Sequence, residues 1–349
     1  MNNWFLRING RGNAWPVPIG QVHPFYSHSG EHEYENASFS LMRFSNELKT
    51  REHLEYELMI DAGHGSIPFL LNSYNRIPDA LFITHPHFDH IIGIDWIAQS
   101  YYRFNNKQKY PLYATENCWQ TILKTIPHLR ELIDFHPLEF GKNTEIHGLK
   151  NVHVTAFPVY HGSSAGGSAM FLFEIEKDMG RLSKVLFTGD VLLPLLNERA
   201  FERLSNVNYL VVDANNRFPY PKSNHWSISR GEGLSTKFLD DFIRKLDTAP
   251  VLEPFTCSSD YADLPEYFEN LKAKLKNKND FCLTVFDLVK KINPEITLPV
   301  HYSGQEDKSY YHKTILNSKG LQNWLNNMSG KLSFTTTFMV PEIGDFFPV

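Results

Sequence analysis

The sequence predicts an α/β fold layered as a sandwich, and two observations carry that prediction. Short apolar runs rich in β-branched and aromatic residues recur along the chain, and stretches with apolar residues at three- and four-residue spacing lie between them. A third observation turns the fold toward chemistry: run after run ends in an aspartate or a histidine.

The runs cover residues 57–63, 80–85, 152–161, 185–190, 209–213 and 296–301. Their composition suits strands. A sheet whose strand ends meet at one rim gathers their terminal residues into one site. Helical spacing appears at residues 91–102, 117–126, 234–246 and 264–275. The stretch at about 230–280 is helical in pattern, moderately charged and free of ligand-like histidines, so it reads as an insertion that caps the site. Lys272, Lys274, Lys276 and Lys278 within it read as a solvated helix end.

The bulk properties set the frame. A chain of 349 residues with no internal repeat, low-complexity tract or Gly/Ser linker is expected to form a single domain over 1–349 with insertions. Hydrophobic residues at 42% and charged residues at 21% support a buried core and exclude a disordered chain. A net charge of −5 lacks the basic footprint of a nucleic-acid binder, so the expected partner is a small anionic substrate rather than a long nucleic acid. Cys118, Cys257 and Cys282 form no C-x-x-C pair and read as buried free thiols. Residues 1–20 hold no basic stretch followed by an apolar run, and no stretch reaches the ~18 apolar residues of a membrane span, so a cytoplasmic location is expected.

The decisive segment is Thr84-His85-Pro86-His87-Phe88-Asp89-His90. Such an H-x-H-x-D-H string arises by chance in only about two in a thousand chains of this length and composition, so a coincidence of ordinary polar residues is set aside. With a strand ending at Thr84, His85 and His87 leave the extended chain on one side while Asp89 and His90 open the next helix. Neutral imidazole and carboxylate are the usual ligands of catalytic zinc, and two ions need more ligands than this turn holds. His161, Asp190 and His301, each closing an apolar run, are available to complete the set.

In this order of ligands the sequence resembles the metallo-β-lactamase superfamily, with all seven motif positions present between Phe82 and His301. The resemblance implies an αββα sandwich and two divalent ions, zinc first with manganese or iron as alternatives. It implies that His85, His87 and His161 hold one ion, that Asp89, His90 and His301 hold the other, and that Asp190 bridges both. The activity implied is that of a hydrolase in which a hydroxide held between the ions attacks a phosphodiester. Lactone, thioester or β-lactam hydrolysis on the same fold stays open, as does a metal-holding protein that binds a metabolite without turnover. An amidohydrolase barrel also places H-x-H at a strand end, but its last ligand is normally Asp where this chain has His301, and an Asp89-His90 pair is foreign to it.

A finer resemblance begins at Phe5-Leu6-Arg7-Ile8-Asn9-Gly10-Arg11-Gly12, which looks like the opening strand and turn of the branch holding tRNase Z, the cyclic-phosphate phosphodiesterases and the pyrroloquinoline quinone biosynthesis protein B. That branch carries an Asp-bearing strand and then a His-x-Ser helix start, matched by Asp213 and His225-Trp226-Ser227. His225 is therefore the candidate proton donor, and Asp89 and His225 are the candidate catalytic residues. The branch also suggests a homodimer. Cysteines that hold a structural zinc in the phosphonate-breakdown enzymes are replaced here by His23, His28 and His32, which read as an exposed loop, and the long arm of tRNase Z is not visible.

Several residues are weighed and given lesser roles. Asp61 and Asp213 end apolar runs, where each either orients a ligand or only favours a turn. His64 follows Ala62-Gly63 within reach of the site, and His153 alternates with apolar neighbours as a packing residue. The glycine- and serine-rich turn at 162–168 lacks the Lys and helix of a phosphate loop and reads as flexibility beside His161.

Overall fold

Side chains alternate across a strand, and that alternation decides how this chain layers. In β3 (Leu54–Ile60), Leu58 and Ile60 enter a large core together with Phe171, Phe173 and Phe187 of another sheet, whereas Met59 joins a second core with Leu81, Ile83 and the helices outside. The sheet is thus apolar on both faces, one for a second sheet and one for helices.

The computed structural model describes residues 3–14, 35–177, 180–220, 223–230, 282–304, 307 and 314–349. Residues 231–280 of the expected insertion, its lysine run, Cys257 and the His23, His28 and His32 loop lie outside the described residues.

The first sheet runs β15 (Phe346–Pro348), β1 (Asn3–Gly10), β2 (Ser38–Phe44), β3, β4 (Ala80–Phe82), β5 (Tyr110–Ala114) and β6 (Ile133–Pro137). Its pairings are antiparallel from β15 to β3 and parallel from β3 to β6. The second runs β11 (Leu193–Pro194), β8 (Leu149–Tyr160), β9 (Ala169–Glu176), β10 (Leu182–Phe187), β12 (Tyr209–Asp213), β13 (Ile296–Val300) and β14 (Thr337–Phe338), with β7 (Asn143–Ile146) added on β8. Here β8 to β10 are antiparallel, and β10, β12, β13 and β14 are parallel.

Parallel neighbours need a crossover, and helices supply it. Outside the first sheet lie α1 (Ser66–Asn72), α2 (Phe88–Ile91), α3 (Ile94–Phe104), α4 (Glu116–Thr125) and α5 (Leu129–Leu132), contributing Leu70, Ile91, Ile97, Ile122 and Leu129 to the outer core. In the other half, α6 (Glu198–Leu204), α7 (Val285–Ile292) and α8 (Ser318–Leu332) contribute Leu204, Ile292 and Leu325 to the large core. The expected αββα layering is the one found. Between the sheets Phe82 stacks on Tyr113 at 4.6 Å and meets Phe173 edge-on at 4.9 Å. Truncating such a buried ring to alanine costs about 3–5 kcal/mol.

Several boundaries differ from the sequence reading, two of them beside the site. Strand β4 stops at Phe82 rather than Thr84, and the helix expected over 91–102 is two helices, α2 and α3. The break falls at Gly93, whose N–H is taken by the Ala62 carbonyl at 2.8 Å, and a Cβ there would stand 2.8 Å from Ser66 Oγ. No helix among the described residues is long and apolar enough to cross a membrane.

Candidate metal centre

Parallel strands β3, β4, β10, β12 and β13 deliver their C-terminal ends to one rim, the place where open α/β sheets hold their chemistry. Asp61, His85, Asp190, Asp213 and His301 stand at or just beyond these ends, and His161 follows antiparallel β8. Backbone conformation makes the rim tight. Asp61 and His301 are left-handed, with φ of 57° and 62°. Gly189 has φ 56°, and a Cβ on it would lie 2.7 Å from Thr84 Cβ, so only glycine lets the Asp190 turn close against the His85 turn.

All seven residues expected as ligands are brought together. His85, His87, His161 and Asp190 offer donor atoms within 4.8 Å of one another, and so do Asp89, His90, Asp190 and His301. Asp190 belongs to both groups. Its carboxylate lies 3.5 Å from His85 Nε2, 3.4 Å from His90 Nε2, 3.5 Å from His161 Nε2 and 3.5 Å from His301 Nε2. His301 Nε2 is also 3.7 Å from Asp89 Oδ2, and His161 Nε2 is 3.2 Å from His87 Nδ1. His225 joins the same cluster, with Nδ1 2.9 Å from Asp213 Oδ2 and Nε2 3.9 Å from Asp190 Oδ2.

Hydrogen bonds on the far side of the His85, His90 and His161 rings fix which nitrogen faces inward. Asp61 accepts from the Thr84 N–H and hydroxyl and from His90 Nδ1–H, each at 2.8 Å. Thr84 Oγ, having given its proton to Asp61, accepts from His85 Nδ1 at 3.1 Å. His161 Nδ1 donates to the Asn224 carbonyl at 2.9 Å. The result is that the Nε2 atoms of His85, His90 and His161 all face Asp190.

Electrostatics describe the same centre. Asp61, Asp89, Asp190 and Asp213 are all buried together, an arrangement that calls for compensating positive charge. Burial opposes ionisation of Asp190, but His301, His90, His225 and His85 outweigh it and hold its carboxyl well below the usual range. Burial, with His90 beside it, holds His85 well below the ordinary histidine range, and burial with His225 does the same to His161. His225 behaves oppositely: burial disfavours its charge, yet Asp213 and Asp190 raise it to about 9.

A pair of divalent ions fits these residues. Among the described residues, His85 Nε2, His90 Nε2 and His301 Nε2 are buried without a hydrogen-bond partner, which for a neutral imidazole nitrogen is costly unless something electron-poor occupies the space between. The 3.2–3.5 Å spacings match the roughly 3.3 Å edge of a tetrahedron whose metal–ligand bonds are about 2.0–2.1 Å.

Other residues named from the sequence lie elsewhere. His64 is exposed, with its N–H on Asn36 Oδ1, and His153 sits in β8 opposite Glu145 and Glu174. Cys118 and Cys282 are buried free thiols. The 162–168 turn is corrected: it is pinned rather than loose. Thr115, the N-cap of α4, donates to the Gly167 carbonyl at 2.6 Å, and Gly167 at φ 79° packs so closely that a Cβ would meet Cys118 N and Thr115 Oγ1 at 2.5 Å. Sequence reasoning did not single out Thr84, Asn224 or Ser164, whose Oγ lies 3.0 Å from His87 Nε2. Nearness in sequence to His85, His225 and His161, respectively, was the only signal they carried.

The fold and this centre define a metallo-β-lactamase-type protein. Residues 58–236, just over half of the chain, match the family described as Beta-lactamase superfamily domain, and the chain belongs to that family, whose fold implies divalent metal ions. Among curated proteins it is similar to Exodeoxyribonuclease WalJ of Streptococcus pneumoniae serotype 2 (strain D39), at 34% identity over 116 residues. That match covers 31% of this chain and only 39% of the length of the exodeoxyribonuclease. Ribonuclease Z of Methanocaldococcus jannaschii is 22% identical over 237 residues, covering 66% of this chain and 71% of its own. Among solved structures, a diphosphatase from the PhnP family superposes with a TM-score of 0.60 at 16% identity, covering 99% of this chain and 98% of the other. The branch expected from the opening strand is thus represented among the structural neighbours, and at this identity the likeness is one of fold.

Proposed function

We propose that this chain is a dinuclear metal-dependent phosphodiesterase acting on a small or cyclic phosphodiester. In this reading His85, His87 and His161 hold one ion, Asp89, His90 and His301 hold the other, and Asp190 bridges them. Zinc suits the donor set best, with iron sharing its preference for imidazole and manganese favouring the carboxylates. The observation that carries the reading is the convergence on one buried carboxylate of three buried histidine nitrogens that have no hydrogen-bond partner among the described residues.

When bound, the ions polarise a phosphoryl oxygen and lower the pKa of a water toward neutrality. The chain's own side chains do the remainder. Asp61 and Thr84 hold His85 and His90 in one ring orientation. Asp213 holds His225 at Nδ1 and favours its protonated form, so that Nε2 carries a proton for the departing alkoxide oxygen. A charged donor of this kind suits an alkoxide leaving group. The relatives named above as an exodeoxyribonuclease, a ribonuclease and a diphosphatase support phosphate over carbonyl chemistry. The net charge of −5 supports a small substrate over a long polyanion.

The test is a side-by-side assay of the metal-loaded protein on bis-p-nitrophenyl phosphate, cyclic nucleotides, a lactone and a chromogenic β-lactam. Hydrolysis of the phosphodiesters is expected. Turnover of only the carbonyl substrates rejects the phosphodiester assignment, and calorimetric binding of the phosphodiesters without product rejects an enzyme.

A further inference from the structure

We infer that Ser164 is a positioning residue that turns the His87 ring so that Nδ1, not Nε2, faces the metal centre. The inference rests on the dinuclear reading above and goes beyond it, because it concerns how one ligand comes to present the opposite nitrogen from the others.

The pattern of ring contacts singles His87 out. His85, His90 and His161 each use Nδ1 for an outward hydrogen bond, to Thr84, Asp61 and the Asn224 carbonyl, and each turns Nε2 toward Asp190. His87 is reversed. Its Nε2 lies 3.0 Å from Ser164 Oγ, and its Nδ1 lies 3.2 Å from His161 Nε2. The His161 ring fixes the sense of that contact: its Nδ1 must carry hydrogen to reach a carbonyl, so its Nε2 is a lone pair. With no ion between them, His87 Nδ1–H donates to that lone pair; an ion there would take the place of the hydrogen on Nδ1, leaving His87 Nε2 to carry the ring hydrogen and donate to Ser164 Oγ. A partner on the outer nitrogen fixes both the tautomer and the orientation of a ligating histidine.

Ser164 is suited to the task because its loop is held at several points. Gly167 is hydrogen-bonded through its carbonyl to Thr115, Ala165 is buried, and Ser168 Oγ donates to the Ala165 carbonyl at 2.6 Å. Beyond the loop, the Ala169 N–H donates to the Thr84 carbonyl at 2.9 Å, tying it to the strand end that carries His85. Ser164 itself is exposed, so the contact to His87 is made from the solvent side, and removing the hydroxyl takes nothing from the core. The turn that looks like slack in the sequence is a strut between the α4 cap and one ligand.

The experiment compares wild type with Ser164→Ala, Ser164→Thr and the neighbouring Ser163→Ala. Zinc affinity is measured by chelator competition, and ¹⁵N NMR of the zinc-loaded protein identifies the ligating nitrogen of His87 and the solvent exchange of its ring N–H. Wild type is expected to ligate through Nδ1 with a slowly exchanging Nε2–H. In Ser164→Ala that proton exchanges rapidly and affinity for one of the two ions falls about tenfold, the lower end of what an outer partner contributes. Ser164→Thr, which keeps a hydroxyl, restores both, and Ser163→Ala changes neither. The inference is overturned if wild type ligates through Nε2, or if Ser164→Ala keeps affinity within twofold, or if affinity falls with the His87 signals unchanged. A wild type that takes up zinc normally while Ser164→Ala matches it leaves the dinuclear reading intact, whereas a wild type that binds no metal overturns both.

Discussion

Asp61 Oδ2 lies 2.8 Å from His90 Nδ1, and the same carboxylate receives both the N–H and the hydroxyl of Thr84, which in turn orients His85. One buried side chain therefore orients a histidine in each of the two groups that could hold a metal ion. Replacing it tests how far the centre depends on that support. Asp61→Asn, which tolerates the left-handed backbone at this position, is expected to fold and to lose about 10–100-fold in metal affinity. Asp61→Ala also strands buried donors, with an expected stability loss of about 1–3 kcal/mol by denaturant unfolding of the metal-free protein. Wild-type metal affinity in Asp61→Asn would remove the supporting role.

His225→Ala is expected to lower turnover by about 10²–10⁴-fold while both ions are retained, because its ring lies 3.9 Å from Asp190 and its proton is held by Asp213. Steady-state kinetics alongside metal analysis separates the outcomes. Unchanged turnover discards the proton donor, and loss of an ion reassigns His225 as a ligand in the Asp190, Asp213 and His301 group.

Much of this centre was legible in the sequence because strands end where their apolar alternation ends. Asp190 and His301 are polar residues that close apolar runs, and H-x-H-x-D-H is dense enough to mark a metal turn unaided. What pairs with what was not legible. Strand β15, only Phe346–Pro348, closes onto β1 through a register that no local pattern encodes, and β9 is buried on both faces, so its Phe-rich run shows no period. The division of 91–102 into two helices depends on a contact between Gly93 and Ala62. Ser164 was overlooked for a similar reason: a serine in a glycine-rich turn reads as slack, and only the docking of Gly167 on Thr115 shows that the turn is held.

Glu35 offers a prediction about pH that is independent of catalysis. Burial raises its carboxyl to about 8, so the folded chain holds this proton more tightly than the unfolded chain does. The stabilisation is full below about pH 4.5, where both states are protonated, and is lost as pH rises toward about 8. Thermal unfolding of chelator-treated protein should show Glu35→Gln gaining on wild type across that window. A constant difference between the two from pH 4.5 to 8 would contradict the assignment.

Asp190 is where the two halves of the molecule meet, within 3.5 Å of nitrogens from four histidines carried by both sheets. The most direct measurement is elemental analysis of purified wild type and Asp190→Ala, coupled to hydrolysis of bis-p-nitrophenyl phosphate. Wild type should carry about two divalent ions per chain and turn the ester over, and Asp190→Ala should lose metal loading and activity together. A wild type holding one ion or none, or an Asp190→Ala protein that keeps both, contradicts the account.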